Sequence, residues 1–179
     1  MTRGRRVLGM GLFVWSVLAA QATAAPSQAS LEYSVKANYL VRFAAFVEWP
    51  PRAFSSAQTP VTICVAGRDP FGATLDRAAR AQTAWGRSLT VRRPTSAEAV
   101  AGCHILYVGQ GAGALIPQTA QRPGLLVVTD SATPTERGMI HFVVADARVR
   151  FHIDQQAATR SGLSVNSRLL NLALTVRGG

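Results

Sequence analysis

Apolar side chains recur at Val35, Tyr39, Phe43 and Phe46, at steps of four, four and three, and Leu40 and Val47 widen the stripe. This spacing follows the 3.6-residue period of a helix with one broad buried face. Ser30 stands where it can cap the helix start. Pro50 and Pro51 end it, since neither can donate the next backbone hydrogen bond. A different pattern follows. The run 61–67, VTICVAG, is short, β-branched and bounded by Pro60 and Gly67, as in a buried strand. The segment RDPFGATLDRAARAQ predicts a helix with Asp69 as cap and Pro70 in the first helical position. SLTVRRP reads as a second strand, SAEAVAG as a short helix, HILYVG (104–109) as a third strand and GLLVVTD (124–130) as a fourth. Residues 138–154, GMIHFVVADARVRFHID, form two alternating runs about a short turn, the pattern of a β-hairpin. QQAATRSGL predicts a helix ending at Gly162, and LNLALTV a last strand. Strands alternating with helices predict one α/β domain, three-layered, with a mainly parallel central sheet and a C-terminal β-hairpin.

The first residues break this alternation. Arg3, Arg5 and Arg6 precede an apolar run from Val7 to Ala20, and Ala22-Thr23-Ala24 has the small-x-small form of a cleavage site. Together these features predict a secretory signal peptide over residues 1–24. About 14 apolar residues are too few for the ~20 that span a bilayer. Residues 25–30 read as a short disordered leader and 31–179 as the domain. No later run is apolar enough to cross a membrane, so the chain is expected to be exported and not membrane-spanning.

Charge and cysteine content narrow the function. Loss of the peptide's three arginines lowers the formal charge from +10 to +7, and Lys36 is the sole lysine. The basic residues are dispersed, and an exported protein seldom meets nucleic acid. The charge therefore suits an acidic partner or surface, or solubility alone. Cys64 and Cys103 are an even pair in an oxidising compartment, so either a disulfide or two buried thiols. In-register parallel strands would hold them about 10 Å apart at ~3.3 Å per residue, beyond the reach of a disulfide. A bond then requires staggered or antiparallel strands.

Motifs for chemistry are few. Gly109, Gly111 and Ala114 match G-x-G-x-x-G/A, with Asp130 about 20 residues on. A dinucleotide fingerprint belongs on a first strand, however; here it follows the third, and Pro117 interrupts the receiving helix. Gly67 and Gly72 flank RDPF without the Gly-Lys-Ser/Thr of a phosphate loop; a capped turn is the simpler reading, although the amides beside Asp69 could meet an anion. Arg148, Arg150 and His152 alternate along one strand, and a two-residue turn at Asp146-Ala147 would place His141 opposite His152. This face is a candidate anion or ligand site, or the polar side of a half-solvated sheet. Three histidines with Asp154 as a helix cap make a poor zinc site. No nucleophile, metal or paired-acid motif asks for catalysis, and no cofactor is implied.

The segments VKANYLVRFAAFVEWP, VTICVAGRDPFGATLD, VAGCHILYVG, GMIHFVVADARVRFHID and SGLSVNSRLLNLA, in that order after a signal peptide, resemble YfiR/HmsC-type periplasmic proteins over roughly residues 31–176. The resemblance implies a regulator rather than an enzyme. Such proteins bind the periplasmic sensory domain of an inner-membrane diguanylate cyclase and hold it inactive; release raises cyclic di-GMP and promotes exopolysaccharide and biofilm. An outer-membrane lipoprotein sequesters the repressor in such systems, and a homodimer is a further partner to consider. Cys64 and Cys103 fall where the family's motifs carry cysteines, which implies a disulfide between them. A second, later cysteine pair found in some relatives is lacking. Glu48, Trp49 and Arg52, at the end of the first helix, are candidates for the partner interface, Trp49 having burial at the helix end as its simpler reading. The alternative is a periplasmic module that binds a small anion or nucleotide through Arg148, Arg150, His152 and His141 and feeds another signalling protein.

Overall fold

The computed structural model describes residues 27–119, 122–132 and 136–178. The expected signal peptide and the start of the leader lie outside the described residues. In chain order the elements are α1 (Gln28–Phe46), β1 (Val47–Glu48), β2 (Val61–Ala66), α2 (Ala73–Arg80), β3 (Thr83–Ala84), β4 (Arg87–Arg92), β5 (Ile105–Val108), α3 (Leu115–Thr119), β6 (Leu126–Asp130), β7 (Ile140–Ala145), β8 (Arg148–Asp154), α4 (Gln155–Arg160), β9 (Ser164–Val165), α5 (Ser167–Leu170) and β10 (Thr175–Arg177). Two short 3-10 turns, Pro51–Ala53 and Glu98–Val100, complete the set.

Eight strands form one sheet in the order β10-β8-β7-β6-β5-β2-β4-β3. The pairs β2–β4, β2–β5, β5–β6, β6–β7 and β8–β10 are parallel; β7–β8 and β3–β4 are antiparallel. The expected α/β class, mainly parallel sheet and C-terminal hairpin are what the chain builds. Strands β2, β5 and β6 are buried at every position, as continuous apolar runs require at the centre of a sheet covered on both faces. Alternate residues feed two cores. Ile63, Val65, Ile105, Tyr107, Leu126 and Val128 meet α1 and α2, while Cys64, Ala66, Leu106, Val108 and Val127 pack with Val100, Ile116 and Leu125 on the far face.

Several local expectations shift, each for a physical reason. Ser27, not Ser30, caps α1, and it does so by accepting the Ser30 N–H at 3.2 Å. The helix has the expected period but a rotated phase. Its buried side carries Lys36, Ala37, Leu40, Val41, Phe43 and Ala44, and Val35 is 44 % exposed. Lys36 is drawn inward by Asp130, and the small Ala37 and Ala44 let the helix sit close to the sheet. Asp69 caps a turn rather than the helix itself: its Oδ1 accepts from Phe71 N and Gly72 N, and α2 begins at Ala73. Pro117 does not break α3 but sits in its first turn, where its missing N–H has no intrahelical partner to lose. The final strand is shorter than expected, because α5 ends at Leu170 in a turn where Leu172 N and Ala173 N donate to the Leu169 and Leu170 carbonyls, and β10 begins only at Thr175.

The Cys64–Cys103 disulfide forms, with the Cα atoms 5.8 Å apart. Neither stagger nor antiparallel pairing is needed. Cys64 lies beside Leu106 in a parallel register, and the chain bends at His104, so Cys103 folds back over the second core instead of continuing the line of β5. The hairpin turn is Asp146-Ala147, both residues at positive φ (50° and 57°), and His141 pairs with His152.

Candidate functional site

Among the described residues, the candidate groups and their neighbours fall in three places. At the amino ends of the strands, α1 gives way to β1, which pairs with β9 through Val47 and Val165. The chain then turns at Pro50 and Pro51. Glu48 is exposed, and Trp49 is half-buried, edge-on to His104 with ring centroids 6.2 Å apart. Its indole N–H is buried without a hydrogen-bond partner. Trp85 stands beside it on the β3–β4 turn, 55 % exposed, with its Nε1–H donating to the carbonyls of Ala44 and Val47 at 3.1 and 3.0 Å. These acceptors are end-of-helix carbonyls with no further turn to bind. The Arg87 guanidinium stacks on Phe54 at 3.9 Å and donates to the carbonyls of Ser56, Ala57 and Thr59, each at 2.8 Å. Glu48, Trp49, Pro51, Phe54, Trp85 and Arg87 line a cleft of ≈450 Å³. Arg52 is exposed on the adjoining 3-10 turn, outside that lining. Sequence reasoning missed Trp85 and Arg87; the dipeptide Trp85-Gly86 between two short polar runs was the available turn signal.

Beneath this cleft His104 is locked as the neutral ring. Thr62 N–H donates to its Nδ1 at 3.0 Å, so Nε2 carries the proton and donates to the Ala53 carbonyl at 3.0 Å. Burial, helped by the charge of Arg87, lowers its pKa.

The hairpin is the second place. Arg148 is exposed and Arg150 half-buried, and both line an open groove with Leu31, Val35, Val144 and Leu172. No carboxylate lies within ion-pair range of either arginine among the described residues, and Arg150 Nε is buried without a partner. His141 and His152 stack with centroids 6.5 Å apart. His141 is buried against Thr129 Oγ1 at 2.8 Å, and His152 meets Thr175 Oγ1 at 2.6 Å. Burial first, and then Arg137, lowers both pKa values. The positive charge of this face therefore rests on its arginines.

The third place is buried. Lys36 is fully enclosed, and its ammonium donates to Asp130 Oδ2 at 2.6 Å and to Glu32 one turn away. The Tyr107 hydroxyl donates to the same Asp130 oxygen at 3.2 Å, and Asp130 Oδ1 accepts from Ala132 N at 2.9 Å. Burial alone would lower the Lys36 pKa, but its carboxylate partners outweigh that and raise it. Asp130, the acid that a dinucleotide fingerprint would turn toward a ribose, is thus spent inside the fold.

Among the described residues no group of three metal-ligating side chains comes together, and no helix is long and apolar enough to cross a membrane. No curated protein shows significant similarity to the chain. A family model described as YfiR/HmsC-like matches residues 33–174, from the second turn of α1 to the residue before β10. The chain belongs to the YfiR/HmsC-like family.

Proposed function

We propose that this protein is a periplasmic regulator that binds the periplasmic sensory domain of an inner-membrane diguanylate cyclase and holds that enzyme inactive. The observation that carries the reading is family membership over nearly the whole domain. The Cys64–Cys103 disulfide supports it, since such bonds persist in oxidising compartments. The mechanism is differential affinity: the protein binds the inactive cyclase better than the active one and shifts the population by that difference. Release raises cyclic di-GMP in the cell and promotes exopolysaccharide and biofilm. An outer-membrane lipoprotein that sequesters the repressor would supply the release step.

The interface we assign is the cleft at the end of α1, with Glu48 and Trp49 joined by Trp85 and Arg87, and Arg52 at its rim. Tryptophan and arginine are the residues that most often dominate binding energy, and here two tryptophans converge on one cleft. The test is capture of the cyclase's periplasmic domain by the wild type and by Trp49→Ala and Trp85→Ala. Saturable capture that weakens at least tenfold in a folded variant supports both partner and surface; capture unchanged in both variants moves the interface elsewhere.

A second reading rests on the unpaired Arg148 and Arg150. In it the hairpin face, with His152 at its rim and His141 beneath, holds a small anion or nucleotide and feeds another signalling protein. Retention of a phosphate-bearing ligand that is lost in Arg150→Ala would favour it.

A further inference from the structure

Three segments that do not meet in the sequence border one cavity: the RDPFG turn, the Gly109 loop and the first turns of α1. From β2 the chain runs outward to β4, then crosses back to β5 on the other side of β2. In open α/β sheets the crevice outside the carboxyl ends of strands at such a reversal is where ligands bind. Here the reversal lies between β2, which leads into Gly67 and Arg68, and β5, which leads into Gly109 and Gln110. A cavity of ≈470 Å³ opens at that point, lined among others by Tyr33, Arg68, Asp69, Phe71, Thr74 and Tyr107. This volume falls in the range of small-molecule sites.

The floor is built with close tolerance. Arg68 N–H donates to the Gln110 carbonyl at 2.9 Å and Gly109 N–H to the Ala66 carbonyl at 2.8 Å. A Cβ on Gly67 would lie 2.5 Å from the Gln110 oxygen, and one on Gly109 would lie 2.4 Å from the Arg68 oxygen. Only glycine lets the two loops meet there. Below them the Tyr107 hydroxyl and the Lys36 ammonium both donate to Asp130 Oδ2, which holds Tyr107 in position.

The charges of this crevice are unequally satisfied. Asp69 is spent: Oδ2 pairs with Arg93 Nε at 2.8 Å, and Oδ1 accepts two backbone amides. Arg93 is shared with Asp76 as well. Glu32, the second acid on Lys36, lines the hairpin groove rather than this cavity. Arg68 is exposed, and its one side-chain contact is Gln110 Oε1 at 3.5 Å, with no carboxylate in range among the described residues. Beside it stand aromatic edges: Tyr33 meets Phe71 edge-on at 5.7 Å, and Phe71 meets Tyr107 edge-on at 4.7 Å.

The geometry points to a binding site for a small organic anion at the carboxyl ends of β2 and β5. Its carboxylate or phosphate head rests on Arg68, and its apolar body lies against Tyr33 and Phe71. This site is at the opposite end of the sheet from the Trp49–Trp85 cleft and is separate from the hairpin arginines.

The test is calorimetric and NMR titration of the purified protein with phenyl phosphate, benzoate and inorganic phosphate. Arg68→Ala and Arg150→Ala are run alongside. The expected result is saturable binding of one or both ring-bearing anions, with amide shifts at Gly67, Arg68, Gly109 and Gln110. Binding weakens at least tenfold in Arg68→Ala and is unchanged in Arg150→Ala; inorganic phosphate binds more weakly than phenyl phosphate. Arg68 is at the surface, so its removal leaves the remaining amide spectrum in place. Benzoate binding alone identifies a carboxylate ligand, and phenyl phosphate alone a phosphate. No saturable shift at these amides, loss of binding in Arg150→Ala instead, or inorganic phosphate binding as tightly as phenyl phosphate overturns the assignment.

Discussion

Opening the Cys64–Cys103 bond removes a crosslink between positions 39 residues apart. A loop of that length restricts the unfolded chain by about 13 cal/mol/K in the chain-entropy treatment, or about 4 kcal/mol at 25 °C. Near this domain size each kcal/mol moves Tm by about 2–4 °C, so loss of the bond should lower Tm by about 8–16 °C. Cys64 is fully buried and Cys103 is 8 % exposed, which shields the bond from reductant in the native state. The assay therefore unfolds the protein in urea with reductant, refolds it reduced, and compares thermal melts with the oxidised form. A Cys64→Ala/Cys103→Ala variant, melted without reductant, separates the crosslink from the reagent. It should fall at least as far, since trimming two buried sulfurs also loosens the second core. A change below about 2 °C in both experiments would refute the reasoning, because the crosslink would then leave the unfolded ensemble unrestricted.

Other consequences follow from particular contacts. Lys36→Met leaves the buried Asp130 without its ammonium partner, and should cost about 3–5 kcal/mol by urea denaturation; adding Asp130→Asn, which removes the carboxylate and keeps a hydrogen-bonding side chain, should recover part of the loss. His104 is held neutral with a depressed pKa. Its contribution is therefore complete above its ordinary value of 6.5 and is lost as pH falls through the lower folded value. The urea midpoint should drop between pH 7.5 and pH 5, and by less in His104→Phe, while His141 and His152 act in the same direction. Ala147 holds a left-handed conformation at φ 57° that costs a residue with a Cβ roughly 1–2 kcal/mol. After the entropy that glycine adds to the unfolded chain, Ala147→Gly should stabilise the protein by about 0.5–1 kcal/mol, read as a higher Tm.

What could be read before the fold was known was whatever depends on local period and turn chemistry. The runs 61–67, 104–109 and 124–130 declare central strands because apolar side chains dominate each of them on both faces, as an all-buried parallel strand requires. Asp154 caps α4 through the Ala157 N–H at 2.7 Å, and the hairpin register was legible because alternation on both sides of Asp146-Ala147 leaves one pairing that keeps Phe142 and Phe151 inside. What escaped depends on contacts between distant residues. The phase of α1 turns on Lys36 meeting Asp130, 94 positions away. The disulfide itself was implied by the family resemblance, but the geometry that allows it turns on a bend at His104 that no strand rule contains. Trp85 joins Trp49 only because a short β3–β4 hairpin lies against the end of α1. The crevice needs the RDPFG turn, the Gly109 loop and the start of α1 to converge, and none of the three marks a cavity by itself.

The most direct test of the regulator reading is capture of the periplasmic domain of any inner-membrane diguanylate cyclase encoded beside this protein, with the protein oxidised and fully folded. The account predicts saturable, stoichiometric binding, reduced at least tenfold in Trp49→Ala or Trp85→Ala. No binding by the oxidised wild type would contradict it.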